Sequence, residues 1–113
     1  MKKLASLLVL LGLGVVPALA ATTTYNNVSV VDVSCSKKAA ANPDAHTRSC
    51  ALACAKSGYG ILTSSGQFLK FDATGNREIK KELEASHEKD HLRVNVKGEV
   101  QGDTLKVSSV RLL

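Results

Sequence analysis

The three cysteines of the chain and one of its three histidines fall in a short segment, at Cys35, His46, Cys50 and Cys54. Thiolate and imidazole groups together form a ligand set suited to zinc or copper(I). Asp32, three residues before Cys35, is a candidate to orient such a ligand by a hydrogen bond, or else it caps the end of a strand. The residue types therefore predict a soft-metal site.

The spacing of His46, Cys50 and Cys54 limits this site if the three share one helix. They stand at positions i, i+4 and i+8, so a straight helix separates the outer two by roughly 12 Å along its axis. Metal–ligand bonds of about 2.0–2.3 Å cannot connect them through short side chains. We therefore expect one ion to bind His46 with Cys50, or Cys50 with Cys54, and Cys35 to complete either pair.

Two other interpretations of the cysteines stay open. On one helix the Cβ atoms of Cys50 and Cys54 are roughly 5–6 Å apart, more than the ~3.5–4.5 Å of a disulfide. A bridge from Cys35 to Cys50 or to Cys54 is better placed, and it would tie the helix to the first strand and leave one thiol over. Alternatively, the cysteines are small reduced core residues on a Cys/His stripe that faces inward.

A second cluster, His87-Glu88-Lys89-Asp90-His91, has the H-E-x-x-H spacing of zinc peptidases. In those enzymes one helix carries two zinc-binding histidines and a glutamate that acts as the base. Here the segment joins a helix end to a strand, and no downstream carboxylate lies at a usual distance for a third ligand. We expect solvated turn residues and no enzymatic activity.

Residues 1–20 combine two lysines, an apolar run and Ala18-Leu19-Ala20, a pattern typical of a signal peptide cut after Ala20. We expect residues 21–113 to form one exported domain, periplasmic or secreted, with no membrane anchor after cleavage. Without Lys2 and Lys3, 13 basic residues against 10 acidic ones leave a charge of +3. That small excess and the four aromatic residues argue against nucleic acid as a partner.

The hydrophobic pattern predicts five strands and two helices. A helix over 43–57 begins at Asn42-Pro43-Asp44 and stops at Ser57-Gly58. After a break at 72–76, a thin apolar stripe of Ile79 and Leu83 predicts a short surface helix. The strands are predicted at 24–33, 61–63, 67–72, 91–100 and 104–112.

This order of elements predicts a mainly β fold with two helices, a small five-stranded OB-like barrel with an extra helix between strands 1 and 2. The apolar alternation changes phase in the first strand, at Val30 and Val31, and in the last, across Ser108 and Ser109. In the first strand the change predicts a bulge or a passage between two sheet faces, and two bulged strands favour a curled barrel. An open α+β sheet is the alternative.

Three runs of sequence carry a resemblance to a known family: DVSC, HTRSCALACAKSGYGILTSSGQFLKFD and KDHLRVNVKGEVQGDTLKVSSVRLL. They resemble a family of small exported bacterial proteins of unknown function. The resemblance implies an exported domain with an OB-like C-terminal half, and it implies no activity.

The residues themselves favour an exported, non-catalytic, OB-like binding module whose Cys/His site binds or senses a soft metal. The alternative is a disulfide-stapled interaction module that binds a protein or glycan partner in the envelope. In either case we expect a monomer.

Overall fold

The computed structural model describes residues 21–113, which form a closed five-stranded barrel. Around the barrel the strand order is β1-β2-β3-β5-β4, with β3 and β5 parallel and the other neighbours antiparallel. This confirms the predicted OB-like barrel rather than the open sheet. The predicted signal peptide lies outside the described residues. The strands are β1 (Thr22–Asp32), β2 (Tyr59–Leu62), β3 (Phe68–Phe71), β4 (Arg93–Gln101) and β5 (Thr104–Leu112).

Aliphatic side chains that alternate along the strands fill the barrel. In β4, Val94 and Val96 are buried, while Asn95 between them is exposed. The same alternation buries Leu105 and Val107 in β5. Because successive side chains of a strand point to opposite faces, this pattern places one face of each strand in the core.

Bulges bend the first and the last strand, and the one in β5 lies at its predicted change of phase. The pairing of β1 with β4 shifts between Tyr25 and Val28. In β5, Ser108 is the extra residue, because Lys97 pairs with Ser109 and the next residue of β4 pairs with Val107. The bulge in β1 lies earlier than its change of phase. Each extra residue bends its strand and helps to close the barrel.

The change of phase in β1 has a separate cause, which is burial on both faces of the strand. Val30 belongs to the barrel core. Val31 is also fully buried, although it is not part of that core cluster. A short helix, α1 (Ser36–Ala39), packs against β1 and buries Ala39. The segment that follows β1 therefore covers the outer face of the strand.

Helix α3 (Ala73–Ala85) packs mainly on β5, with Ile79 and Leu83 fully buried. It is the predicted surface helix, but it begins before the predicted position. The Asp72 side chain accepts a hydrogen bond from the Gly75 backbone N–H and so caps the helix. The predicted break at 72–76 is therefore wrong. In the part of the chain that the structure describes, no helix combines the length and apolar character needed to cross a membrane.

Residues 33–58, here called the connection, link β1 to β2 through short helical turns. Besides α1, they form helix α2 (Arg48–Ala53) and 3-10 turns at Val33–Cys35, Pro43–Ala45 and Ala55–Ser57. The single helix predicted over 43–57 is therefore wrong, and α1 was not predicted. The predicted stop is confirmed, because Gly58 ends the segment with a φ of 84°.

Two backbone groups explain why the predicted helix is interrupted at His46. In a continuous helix the Arg48 N–H would donate to the Asp44 carbonyl. Instead, Arg48 donates to the Lys89 carbonyl at 2.8 Å, and the Asp44 carbonyl accepts from the His91 N–H at 2.9 Å. His46 is extended, and Thr47 caps the new helix by accepting from the Cys50 N–H. Contacts with the loop before β4 thus replace helical hydrogen bonds.

Candidate metal site

Asp32 is a fully buried carboxylate at the end of β1, and hydrogen bonds occupy both of its oxygens. Oδ2 accepts from the Ser34 hydroxyl at 2.8 Å and from the Cys35 N–H at 3.0 Å, which makes Asp32 the cap of the first 3-10 turn. Oδ1 lies 2.6 Å from His46 Nε2. Asp32 therefore both caps the turn and positions the imidazole.

This contact determines which ring nitrogen of His46 can bind a metal. Burial by itself raises the pKa of Asp32, but hydrogen bonds from Ser34 and His46 outweigh it and lower that pKa below its usual value. An ionised carboxylate only accepts hydrogen bonds, so His46 Nε2 carries the proton. In the neutral imidazole, Nδ1 then keeps its lone pair. A carboxylate that holds a histidine in this way is a common support of metal-binding imidazoles.

Cys35 completes a compact group of potential ligands. The structure places one ligand atom each of Asp32, Cys35 and His46 within 4.8 Å of one another. Burial, followed by the negative charge of Asp32, raises the pKa of the Cys35 thiol. Without a cation the thiol therefore stays protonated at neutral pH. A bound metal would reverse this preference, because coordination removes the thiol proton.

A cleft of about 360 Å³ opens beside this group. Its wall includes Cys35, His46 and Cys50, together with Lys38, Asn42 and three alanines. Asp32 does not line the cleft, which agrees with its supporting position behind His46. Cys50 is exposed and stands outside the compact group. A metal bound to Cys35 and His46 would thus be reached from solvent through this cleft.

Cys54, the third thiol, lies beside Cys35, and its proximity contributes to the raised pKa of Cys35. Cys50 lines the same cleft as Cys35. Within residues 21–113 all three cysteines are free, so neither bridge predicted from Cys35 is formed. The four predicted ligands are therefore not brought together as one set: the structure joins Cys35 with His46 and leaves Cys50 and Cys54 at the edges.

The predicted inward stripe of cysteine and histidine is wrong. Cys50 is exposed, while Cys35 and Cys54 are only half-buried, so none is a core residue. The residue that α2 buries is Ala51, and Leu52 packs against the core beside it. The predicted stripe assumed a helix from Pro43, whereas the interruption at His46 removes its first turn and ends the common helical phase.

Sequence reasoning missed Ser34 and Arg93, which help to shape the site. Arg93 donates from Nε and Nη2 to the two carboxylate oxygens of Asp44, at 3.0 and 2.9 Å. These hydrogen bonds lower the pKa of Asp44 and fasten the connection to β4. Of these two residues, only Ser34 could have been found from the sequence. An acidic residue two or three positions before a polar N–H or O–H group is a common capping arrangement.

The H-E-x-x-H segment has none of the helical geometry of a zinc peptidase. It lies in the irregular stretch between α3 and β4, and His87 and His91 are both exposed. His91 has a positive φ of 51°, and its Nδ1 pairs with Asp90 at 2.8 Å. That hydrogen bond raises the pKa of His91 and so favours the charged imidazole, which cannot bind zinc. The expectation of turn residues is confirmed.

No family model, no curated protein and no solved structure matches this chain. The resemblance to the family of small exported proteins therefore stays a prediction. Any function has to be argued from the side chains of this chain.

Proposed function

We propose that this protein is an exported, non-catalytic OB-like binding module in which Cys35 and His46 bind a soft transition metal, zinc or copper. The observation that carries the proposal is the convergence of Asp32, Cys35 and His46 within 4.8 Å. A thiolate and an imidazole from one cleft wall form a soft ligand pair. Export is inferred only from the signal-like pattern of residues 1–20.

The burial of Asp32 decides which of the three residues contact the metal and which one supports them. Asp32 has no exposed surface, and its oxygens already hold His46, Ser34 and the Cys35 N–H. We therefore assign it to hold His46, while Cys35 Sγ and His46 Nδ1 contact the metal. The Cys54 thiol also lies close to Cys35. This arrangement offers few ligands, which favours copper(I) over zinc, because zinc in structural sites takes a full tetrahedral set.

The raised pKa of Cys35 supports a binding role over a nucleophilic one. A cysteine nucleophile needs a lowered pKa, as beside a cationic histidine, so that its thiolate is present at neutral pH. Here the buried surroundings and the Asp32 carboxylate act in the opposite direction. The cysteine, histidine and aspartate therefore make a poor catalytic group. A bound metal cation would still promote loss of the Cys35 thiol proton.

The direct test is to isolate the exported protein from the periplasm, measure bound metal by mass spectrometry and count thiols under denaturing conditions. We expect one zinc or copper per chain, with all three thiols reduced. Three reduced thiols without affinity for either metal would refute the proposal. One thiol and no metal would also refute it and would indicate a disulfide instead.

The support given by Asp32 can be tested separately. Asp32→Asn should weaken metal affinity by about 10–100-fold, because the imidazole loses the carboxylate that orients it. Asp90→Asn is a matched control, since Asp90 also pairs with a histidine but lies on the exposed loop. Equal affinities for Asp32→Asn and the control would show that the Asp32 carboxylate does not support the metal site.

A polar cleft supports a second candidate, an interaction module for a glycan or protein partner in the envelope. The cleft has a volume of about 490 Å³ and runs along the bulged part of β1 to the β2–β3 turn. Tyr25, Asn26 and Ser64 are among its lining residues and offer an aromatic ring and hydrogen-bonding groups. Binding of glycan fragments that is lost in Asn26→Ala, in a protein without metal, would favour this candidate.

A further inference from the structure

Cys50 has a position that the proposed metal site does not explain. It lies on the wall of the same cleft as Cys35 and His46, yet it is exposed and outside their compact group. Its place is set by Thr47, whose hydroxyl accepts from the Cys50 N–H at 3.1 Å and starts α2. An incoming ion would therefore meet this thiol before it reached the two half-buried ligands.

We propose that Cys50 is a capture thiol, which takes copper(I) from a small anionic carrier in the cleft and passes it to Cys35 and His46. This inference rests on the proposed function. Lys38 lines the same cleft and adds a positive charge that favours an anionic carrier. The cleft, with about 360 Å³, has room for a small carrier group beside the metal.

The transfer consists of two ligand exchanges without redox chemistry. First, the Cys50 thiol releases its proton, its sulfur binds the copper, and the bond between copper and carrier breaks. Second, Cys35 releases its proton as its sulfur and His46 Nδ1 bind the copper, the bond to Cys50 breaks, and Cys50 takes up a proton. The copper remains copper(I) throughout, so no oxidant or reductant is required.

The test follows transfer of copper(I) from its coloured complex with the anionic chelator bicinchoninate to the metal-free protein by stopped-flow absorbance. We expect Cys50→Ser to slow the transfer by about tenfold or more, because the intramolecular hand-over is lost. The final amount of copper transferred should match that of the unmodified protein. Lys38→Gln should also slow the transfer and leave the final amount unchanged.

A relocated thiol provides the matched control. The double variant Cys50→Ser with Ser49→Cys keeps a thiol on α2 but moves it to a position that does not line this cleft. We expect it to be as slow as Cys50→Ser. Restored speed in the double variant, or an unchanged rate in Cys50→Ser, would overturn the capture role.

Two further outcomes are decisive. A lower final amount of copper in Cys50→Ser would make Cys50 a permanent ligand and so overturn its transient role. If the unmodified protein takes up no copper, this inference fails, and the proposed function fails with it when the protein also binds no zinc. By contrast, normal uptake with unchanged rates refutes the capture role alone.

Discussion

The barrel and the connection at 33–58 are held together by different forces. The barrel buries a continuous aliphatic core that includes Ile61, Leu69 and Leu105, each fully buried. The connection buries few side chains and is fixed by individual polar contacts, such as Asp32 with His46 and Asp44 with Arg93. Burial of apolar side chains, which has no preferred direction, therefore stabilises the barrel. The site instead depends on hydrogen bonds that each require one correctly placed partner.

The largest loss of stability should come from a substitution in the barrel core. Ile61→Ala removes a fully buried side chain and leaves a cavity, which should lower the free energy of unfolding by about 2–5 kcal/mol. Urea denaturation followed by circular dichroism measures it. Leu113→Ala, at a residue that is 51% exposed, is the control and should change stability by less than about 0.5 kcal/mol. Equal effects would contradict the barrel as the main source of stability.

A hydrogen bond between the two regions should have the next largest effect. The buried Tyr59 hydroxyl donates to the Ala51 carbonyl at 2.8 Å, and burial, with the charge of Asp32, raises the pKa of Tyr59 to about 12. Tyr59→Phe should therefore cost about 1–3 kcal/mol of unfolding free energy. The same denaturation experiment applies. Tyr25→Phe, on a half-buried ring at the polar cleft, is the comparison, and an equal loss there would show that the hydroxyl of Tyr59 is unimportant.

The cap of α2 should matter less for the whole molecule. Thr47→Ala removes the acceptor for the Cys50 N–H and should cost about 0.5–2 kcal/mol. Because α2 carries Cys50, transfer of copper(I) should slow as well. Thr47→Ser keeps a hydroxyl and should restore most of both properties. A serine variant as impaired as the alanine variant would point to the methyl group instead of the cap.

The smallest global effect should come from Arg93→Lys. Lysine cannot make the two parallel hydrogen bonds to Asp44, but the pair is partly exposed, so stability should fall by only about 0.2–1 kcal/mol. Locally, the His91 N–H that donates to the Asp44 carbonyl should exchange faster with deuterium. Arg111→Lys on β5 is the control. Unchanged exchange at His91 would mean that the connection is held to β4 without Arg93.

Much of the barrel could be predicted because burial has a simple period along a strand. The alternation at Val94 and Val96 indicated a strand, and the change of phase across Ser108 and Ser109 indicated where β5 bends. The change of phase in β1 instead reflects burial on both faces of that strand. The predicted single helix over 43–57 was wrong because residues far along the chain compete for its hydrogen bonds. Its local capping signals were genuine, but the loop before β4 offered stronger partners to the Asp44 carbonyl and the Arg48 N–H.

The sequence by itself determined the five strands and the set of four candidate ligands, because periodic burial and residue type are local properties. It favoured an OB-like barrel over an open sheet, and the tertiary structure decided that the sheet closes. Only the tertiary structure decided that Cys35 meets His46, that Asp32 holds the ring, and that Cys50 faces the cleft while Cys54 lies beside Cys35. These contacts join the end of β1 to a turn after α1, and no periodicity of the chain specifies a contact between two irregular segments.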